Sequence, residues 1–128
     1  MSPKNASQPT ESELEILQVL WTDGPATVRQ VHERLQRPVG YTTVLKLLQI
    51  MAEKGLVTRD ESERSHVYAA KHKREATQKK MVQDLLDRCF SGAADQLILQ
   101  ALSAKKLSAA ELAEIRTMID EFERKRTE

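Results

Sequence analysis

The chain has 128 residues, room for one domain or two small ones. Charged residues make up 30%, the formal net charge is +1, and aromatics, glycines and prolines are sparse, a composition that suits a largely helical protein. No apolar run reaches membrane-spanning length and no signal-peptide pattern opens the chain, so a cytoplasmic protein without membrane insertion is expected. A lone cysteine, Cys89, allows neither an internal disulfide nor a cysteine-rich metal site.

Residues 1–9 are polar and lack periodicity, which predicts a disordered tail. Thr10 with Glu13 makes a capping box, and the helix it opens carries Leu14, Leu17 and Trp21 on one stripe, widened by Ile16 and Leu20. Asp23-Gly24-Pro25 ends it. Ala26 and Thr27 read as extended residues. Thr27 with Gln30 caps a short second helix, with Val28, Val31 and Leu35 inward and Arg29, His32, Glu33 and Arg34 outward. Pro38-Val39-Gly40 is a turn. The third helix runs from Tyr41 to a stop at Gly55, with Val44, Leu47, Leu48 and Met51 on its apolar back. Thr42, Lys46, Gln49 and Glu53 fall on the opposite side. Short hydrogen-bonding side chains and one cation near a helix N-terminus suit reading of base edges in a major groove.

Beyond Gly55 the period changes. Leu56-Val57-Thr58-Arg59 and His66-Val67-Tyr68-Ala69 read as two short strands around a polar turn, a hairpin that would form the wing of a helix-turn-helix. Arg59 and Arg64 sit where a wing meets the DNA backbone. From Arg29 to Arg59 the bases are Arg29, Arg34, Arg37, Lys46, Lys54 and Arg59, against the acids Glu33 and Glu53, a local basic excess in a nearly neutral chain.

From about Lys73 the chain is helical again. One helix carries Met81, Val82, Leu85, Leu86 and Cys89, and Ser91-Gly92 breaks it. Cys89 reads as a small core residue. A second helix groups Leu97, Ile98 and Leu102. A third, opened by a Ser108/Glu111 capping box, carries Leu112, Ile115, Ile119 and Phe122 at the spacing of a packing seam, and its charged end from Glu123 is expected to fray. Fewer than roughly 60 residues make a marginal core, so a second copy with the same surfaces is expected to complete it. The expected fold is mostly α. It has an N-terminal winged helix-turn-helix over residues 10–72 and a three-helix dimerisation region over residues 73–128. The expected dimer interface is Met81, Leu85, Leu86, Leu97, Ile98, Leu112, Ile115, Ile119 and Phe122.

No active site survives inspection. The four glycines are scattered, His32, His66, His72 and Cys89 match no metal spacing, and the carboxylate pairs of the last helix read as solvated faces. Neither enzyme activity nor a cofactor or metal is expected.

The segments Glu13-Leu14-Glu15-Ile16-Leu17, Leu20-Trp21, Tyr41-Thr42-Thr43-Val44, Leu47-Leu48, Glu53-Lys54-Gly55-Leu56-Val57 with Arg59, and Tyr68 resemble the penicillinase and methicillin-resistance repressors of the BlaI/MecI type and the related copper-responsive CopY type. The resemblance runs from Glu11 to Phe122. It implies a bacterial homodimeric repressor whose winged helix binds a pseudo-palindromic operator and whose C-terminal helices hold the dimer, with release when that region is disrupted or cleaved. By position it puts Thr42, Thr43 and Lys46 in the recognition helix and Arg59 at the start of the wing. Gln49 joins them by helical geometry. Tyr41 is assigned to the groove wall or a phosphate, and Arg29, Arg59 and Arg64 to the DNA backbone. In the β-lactam branch a sensor pathway leads to cleavage at an Asn-Phe bond. The matching place here reads Gln100-Ala101, a candidate cleavage region for a sensor-linked protease with a different bond at its centre. The paired Cys-x-Cys motifs of the copper branch are absent. The alternatives are a winged helix that binds proteins rather than DNA, or a small-molecule-sensing regulator of the MarR or PadR kind.

Overall fold

A computed structural model describes residues 8–127, and these divide into two compact units, one ending at Val82 and one beginning at Gln83. The tail expected over residues 1–9 lies outside the described residues except for Gln8 and Pro9.

The first unit opens with α1, Glu11–Asp23. Its start is held as the sequence predicts: the Thr10 hydroxyl accepts the Glu13 N–H at 3.2 Å, and the Glu13 carboxylate accepts the Thr10 N–H at 2.8 Å. Gly24, at φ +87°, ends it. Ala26–Thr27 is a short strand, β1, and runs straight into α2, Val28–Arg34, through the Thr27/Gln30 capping box. Helix α3, Tyr41–Lys54, stops at Gly55, whose φ of +78° is left-handed. There the Leu56 N–H reaches back to the Met51 carbonyl at 2.9 Å and the Gly55 N–H to Ala52 at 3.2 Å, satisfying carbonyls the helix leaves open. A Cβ added at Gly55 would meet only Lys71 Nζ, at 3.8 Å, so Gly55→Ala costs backbone strain and little else. The variant is expected to lose about 1 kcal/mol in urea denaturation.

Strands β2, Val57–Asp60, and β3, Val67–Ala70, form the hairpin, each one residue later than the sequence suggested. Arg59 lies opposite Tyr68 and Asp60 opposite Val67. The sheet has a third strand at Ala26–Thr27, whose two residues are too few to be told from an extended connection by pattern. β1 pairs antiparallel with β3, Ala26 opposite Tyr68, giving the order β1-β3-β2. This pairing ties the helix-turn-helix to the wing.

The core gathers Ile16, Leu17 and Leu20 from α1, Val28 and Val31 from α2, and Val44, Leu48 and Met51 from α3, closed by Ala26, Leu56, Val57 and Tyr68. Each such aliphatic side chain contributes about 1.5–3 kcal/mol by leaving water. The apolar stripes thus do what their spacing predicts, with Leu14, Trp21, Leu35 and Leu47 at the margin. The Trp21 indole donates to the His72 carbonyl at 2.9 Å, and the Arg74 guanidinium sits 5.8 Å from the Trp21 ring centre, fastening the chain that follows β3 back onto α1. Helix, strand, helix, helix and two-stranded wing make a winged helix-turn-helix.

The remaining elements are α4, Arg74–Cys89, α5, Ala94–Ser103, and α6, Ala109–Thr127. Ser91 and Gly92 carry positive φ, and the Gly92 N–H caps the Leu86 carbonyl at 2.9 Å, so the expected break is where the sequence put it. Ser108 and Glu111 form the third capping box, with both bonds at 3.1 Å. α6 does not fray at Glu123 but remains helical to Thr127, with Arg124, Lys125 and Arg126 in its last turn favourably placed against the helix dipole. From Gln83 onward no described residue is buried. Cys89, read from sequence as core, is exposed, because the stripe that carries it is covered only in part, at Met81 and Leu86.

Candidate nucleic-acid interface

Helix α3 turns Val44, Leu48 and Met51 inward, which leaves Thr42, Thr43, Lys46 and Gln49 on its exposed front. Tyr41, at its first position, is about half exposed. Its ring and that of His32 from α2 stand in a T-shaped pair, 5.9 Å between centres and 79° between planes. His32 in turn places a ring nitrogen 2.7 Å from the Val39 carbonyl in the turn before α3. Helix α2, the turn and the first residue of α3 are therefore locked to one another at the end of the helix where base contacts would begin.

Beside Tyr41 lies a groove of about 450 Å³. Arg29 from α2 and Arg64 from the wing turn line it together with Thr27, Ser65 and His66. Three residues assigned to DNA from the sequence, Arg29, Tyr41 and Arg64, are thus brought to one place by three elements distant in the chain. Thr27, Ser65 and His66 were missed as neighbours of that place. Only the fold, by pairing β1 with β3, brings Thr27 beside the wing.

The basic excess of the sequence resolves into two kinds of residue. Lys54 is bound to the buried Glu13 at 2.6 Å, Arg37 to Glu15 at 2.9 Å, Arg34 lies 4.0 Å from Asp23, and Arg59 is 2.7 Å from Glu61. All four acids stand outside the Arg29-to-Arg59 window, so counting inside that window overstated the charge. Arg29, Lys46 and Arg64 have no ion pair or hydrogen bond with another described residue. Arg59 does not line the groove that Arg29 and Arg64 share, but Tyr68, opposite it across the sheet, does. The Arg59 pKa is raised above its ordinary value, first by the Tyr68 side chain and then by the Glu61 carboxylate. In the same turn the Ser62 N–H donates to Asp60 at 2.9 Å and holds that carboxyl below the usual range.

The residues expected at a dimer interface spread over three helices. Leu85, Ile98, Ile119 and Phe122 are exposed, Phe122 at 80%, while Met81, Leu86, Leu97, Leu112 and Ile115 are half-buried. Gln100 and Ala101 are exposed and lie within helical α5. Among the described residues no helix is long and apolar enough to cross a membrane, and no group of three or more metal-ligating side chains gathers.

The model of the family described as penicillinase repressor matches residues 9–121. Two curated relatives, each named transcriptional regulator BlaI, come from Mycobacterium tuberculosis strains CDC 1551 / Oshkosh and ATCC 25618 / H37Rv. Each is 33% identical over 114 residues, covering 87% of this chain and 82% of the relative. Among solved structures, a transcriptional regulator from Thermotoga maritima superposes with a TM-score of 0.51 over 89% of this chain and 73% of its own, at 20% identity, a likeness of fold. With a core that supports the matched segments and a family match over nearly its whole length, the chain belongs to the penicillinase repressor family.

Proposed function

We propose that the chain is a bacterial transcriptional repressor that binds a pseudo-palindromic operator as a homodimer. Family membership gives the coarse function, repression of transcription. The finer reading rests on one observation: α3 presents a polar front of Thr42, Thr43, Lys46 and Gln49, and Arg29, Lys46 and Arg64 are unpaired while Arg34, Arg37, Lys54 and Arg59 each stand beside a carboxylate. Thr42, Thr43, Lys46 and Gln49 face base edges. Arg29, Arg64 and Tyr41 set the register on the backbone, and Arg59 reaches a phosphate from the wing. The uncovered apolar faces of α4, α5 and α6 join two copies, and disrupting or cleaving that region, for which the exposed Gln100-Ala101 stretch is the candidate, releases the DNA.

Lys46→Ala is expected to weaken operator binding about tenfold and to make it less salt-dependent, and Gln49→Ala to relax base preference at one position in each half-site. Titration of each variant against the operator and its single-base changes tests this. Unchanged affinity and preference in both would mean that α3 is not the reading helix.

A further inference from the structure

The acids that neutralise this module fall into two sets. Glu13, Glu15 and Asp23 lie on α1, and their partners lie on α3, in the turn before it and on α2, so those pairs join distant segments. Glu61 differs. It stands two positions from Arg59 on the wing turn, and its pair with Arg59 joins nothing else. The Arg59 Nη2 to Glu61 Oε1 distance is 2.7 Å, with side chains 36% and 54% exposed. A pair this open to solvent contributes little to the fold. Around it the wing is acidic. Asp60, Glu61 and Glu63 stand against Arg59 and Arg64.

A carboxylate and a phosphate present the same face to a guanidinium: oxygens in a plane, taken by two N–H groups. We propose that Glu61 is an internal stand-in for a DNA phosphate, occupying Arg59 in the free protein and thereby lowering the affinity of the wing for duplex DNA. The inference rests on the reading of this module as a duplex binder. A phosphate that takes the Arg59 Nη2 must displace Glu61, so one ion pair is lost for the one gained. Arg29, Lys46 and Arg64 face no such competitor. Binding to random sequence rests almost wholly on summed phosphate attraction, and there the exchange yields little. On an operator, base contacts to α3 hold the backbone in register against the wing, and the exchange goes through. The operator complex, in which Arg59 has left Glu61, therefore bears the full cost of the lost pair, and random binding bears that cost or less.

The test measures binding of the full chain to an operator obtained by selection and to random duplex, across salt concentrations. The proteins are wild type, E61Q, R59Q, the E61Q/R59Q pair and E63Q. E61Q is expected to bind the operator about threefold to fivefold tighter, the scale of one exposed ion pair. Its affinity for random duplex rises by the same factor or less, with a salt dependence steeper by up to about one phosphate's worth, and its melting temperature is unchanged. The gain disappears in the R59Q background. E63Q removes the same charge from the same turn, and its smaller gain persists without Arg59. Three results would each overturn the proposal: no tightening in E61Q, a gain that survives R59Q, or a gain equal to that of E63Q. A wild-type chain that binds no duplex would instead overturn the reading of the module itself, and that control is read first.

Discussion

Lys54→Met is expected to cost the N-terminal module about 3 kcal/mol in chemical denaturation, enough to shift its midpoint by a large fraction of the total stability of a domain this size. The Glu13 side chain is only 3% exposed, and the same carboxylate oxygen takes Lys54 Nζ at 2.6 Å and the Thr10 N–H at 2.8 Å. Removing the ammonium leaves a buried carboxylate with the capping N–H alone. Such a loss costs about 3–5 kcal/mol for a fully buried pair, and Lys54, at 19% exposure, places this one at the low end. Lys54 Nζ also donates to the Gln8 carbonyl at 3.0 Å, so the last residue of α3 is pinned both to the first turn of α1 and to the segment before it. Glu13→Gln in the Lys54→Met background is expected to recover part of the loss, since a neutral amide no longer has a charge to desolvate. A change below about 1 kcal/mol in Lys54→Met would show that the pair behaves as an ordinary surface pair.

The second large effect concerns assembly. Ile119→Asp with Phe122→Asp places two carboxylates on the seam of α6, where Phe122 is 80% and Ile119 48% exposed in one copy. The expected outcome is a monomer in sedimentation where the wild type is a dimer. Operator affinity falls about 10²–10⁴-fold, the avidity lost when two modules no longer share one scaffold. Binding of a single half-site duplex is expected to survive at the level of one module. A variant that stays dimeric would place the interface elsewhere on the chain. A wild type that is monomeric at all concentrations and on DNA would remove the dimer from the account.

The features legible in the sequence are those encoded within a few residues. Three capping boxes, Thr10/Glu13, Thr27/Gln30 and Ser108/Glu111, have the bonds their spacing predicts, and Gly55 and Gly92 have the positive φ expected of stops. The inward stripe of α3 followed from period alone, and with it the polar front of the candidate site. What was not legible depends on partners far apart in the chain. Glu13 looked like a cap and is also the buried counter-ion of Lys54, 41 positions away. Arg37 and Glu15, 22 apart, pair in the same way, so a charge count over one window gave a basic surface that is in part already neutral. The two-residue β1 carries too little pattern to be told from a connection, yet it brings Thr27 beside Arg64 and His66. His32 read as a surface residue, but it is half-buried and braces the turn and Tyr41. Cys89 followed the apolar period of α4 and is exposed, since a stripe predicts burial only where something covers it.

Selection of binding sequences by the full chain from a random duplex pool, at a stated salt concentration, tests the central claim most directly. The account predicts enrichment of an inverted repeat whose half-sites lie about one helical turn apart, with Gln49→Ala losing preference at one position in each half. Recovery of no enriched sequence would contradict operator reading by α3 and leave the exposed front of that helix as a surface for a protein partner.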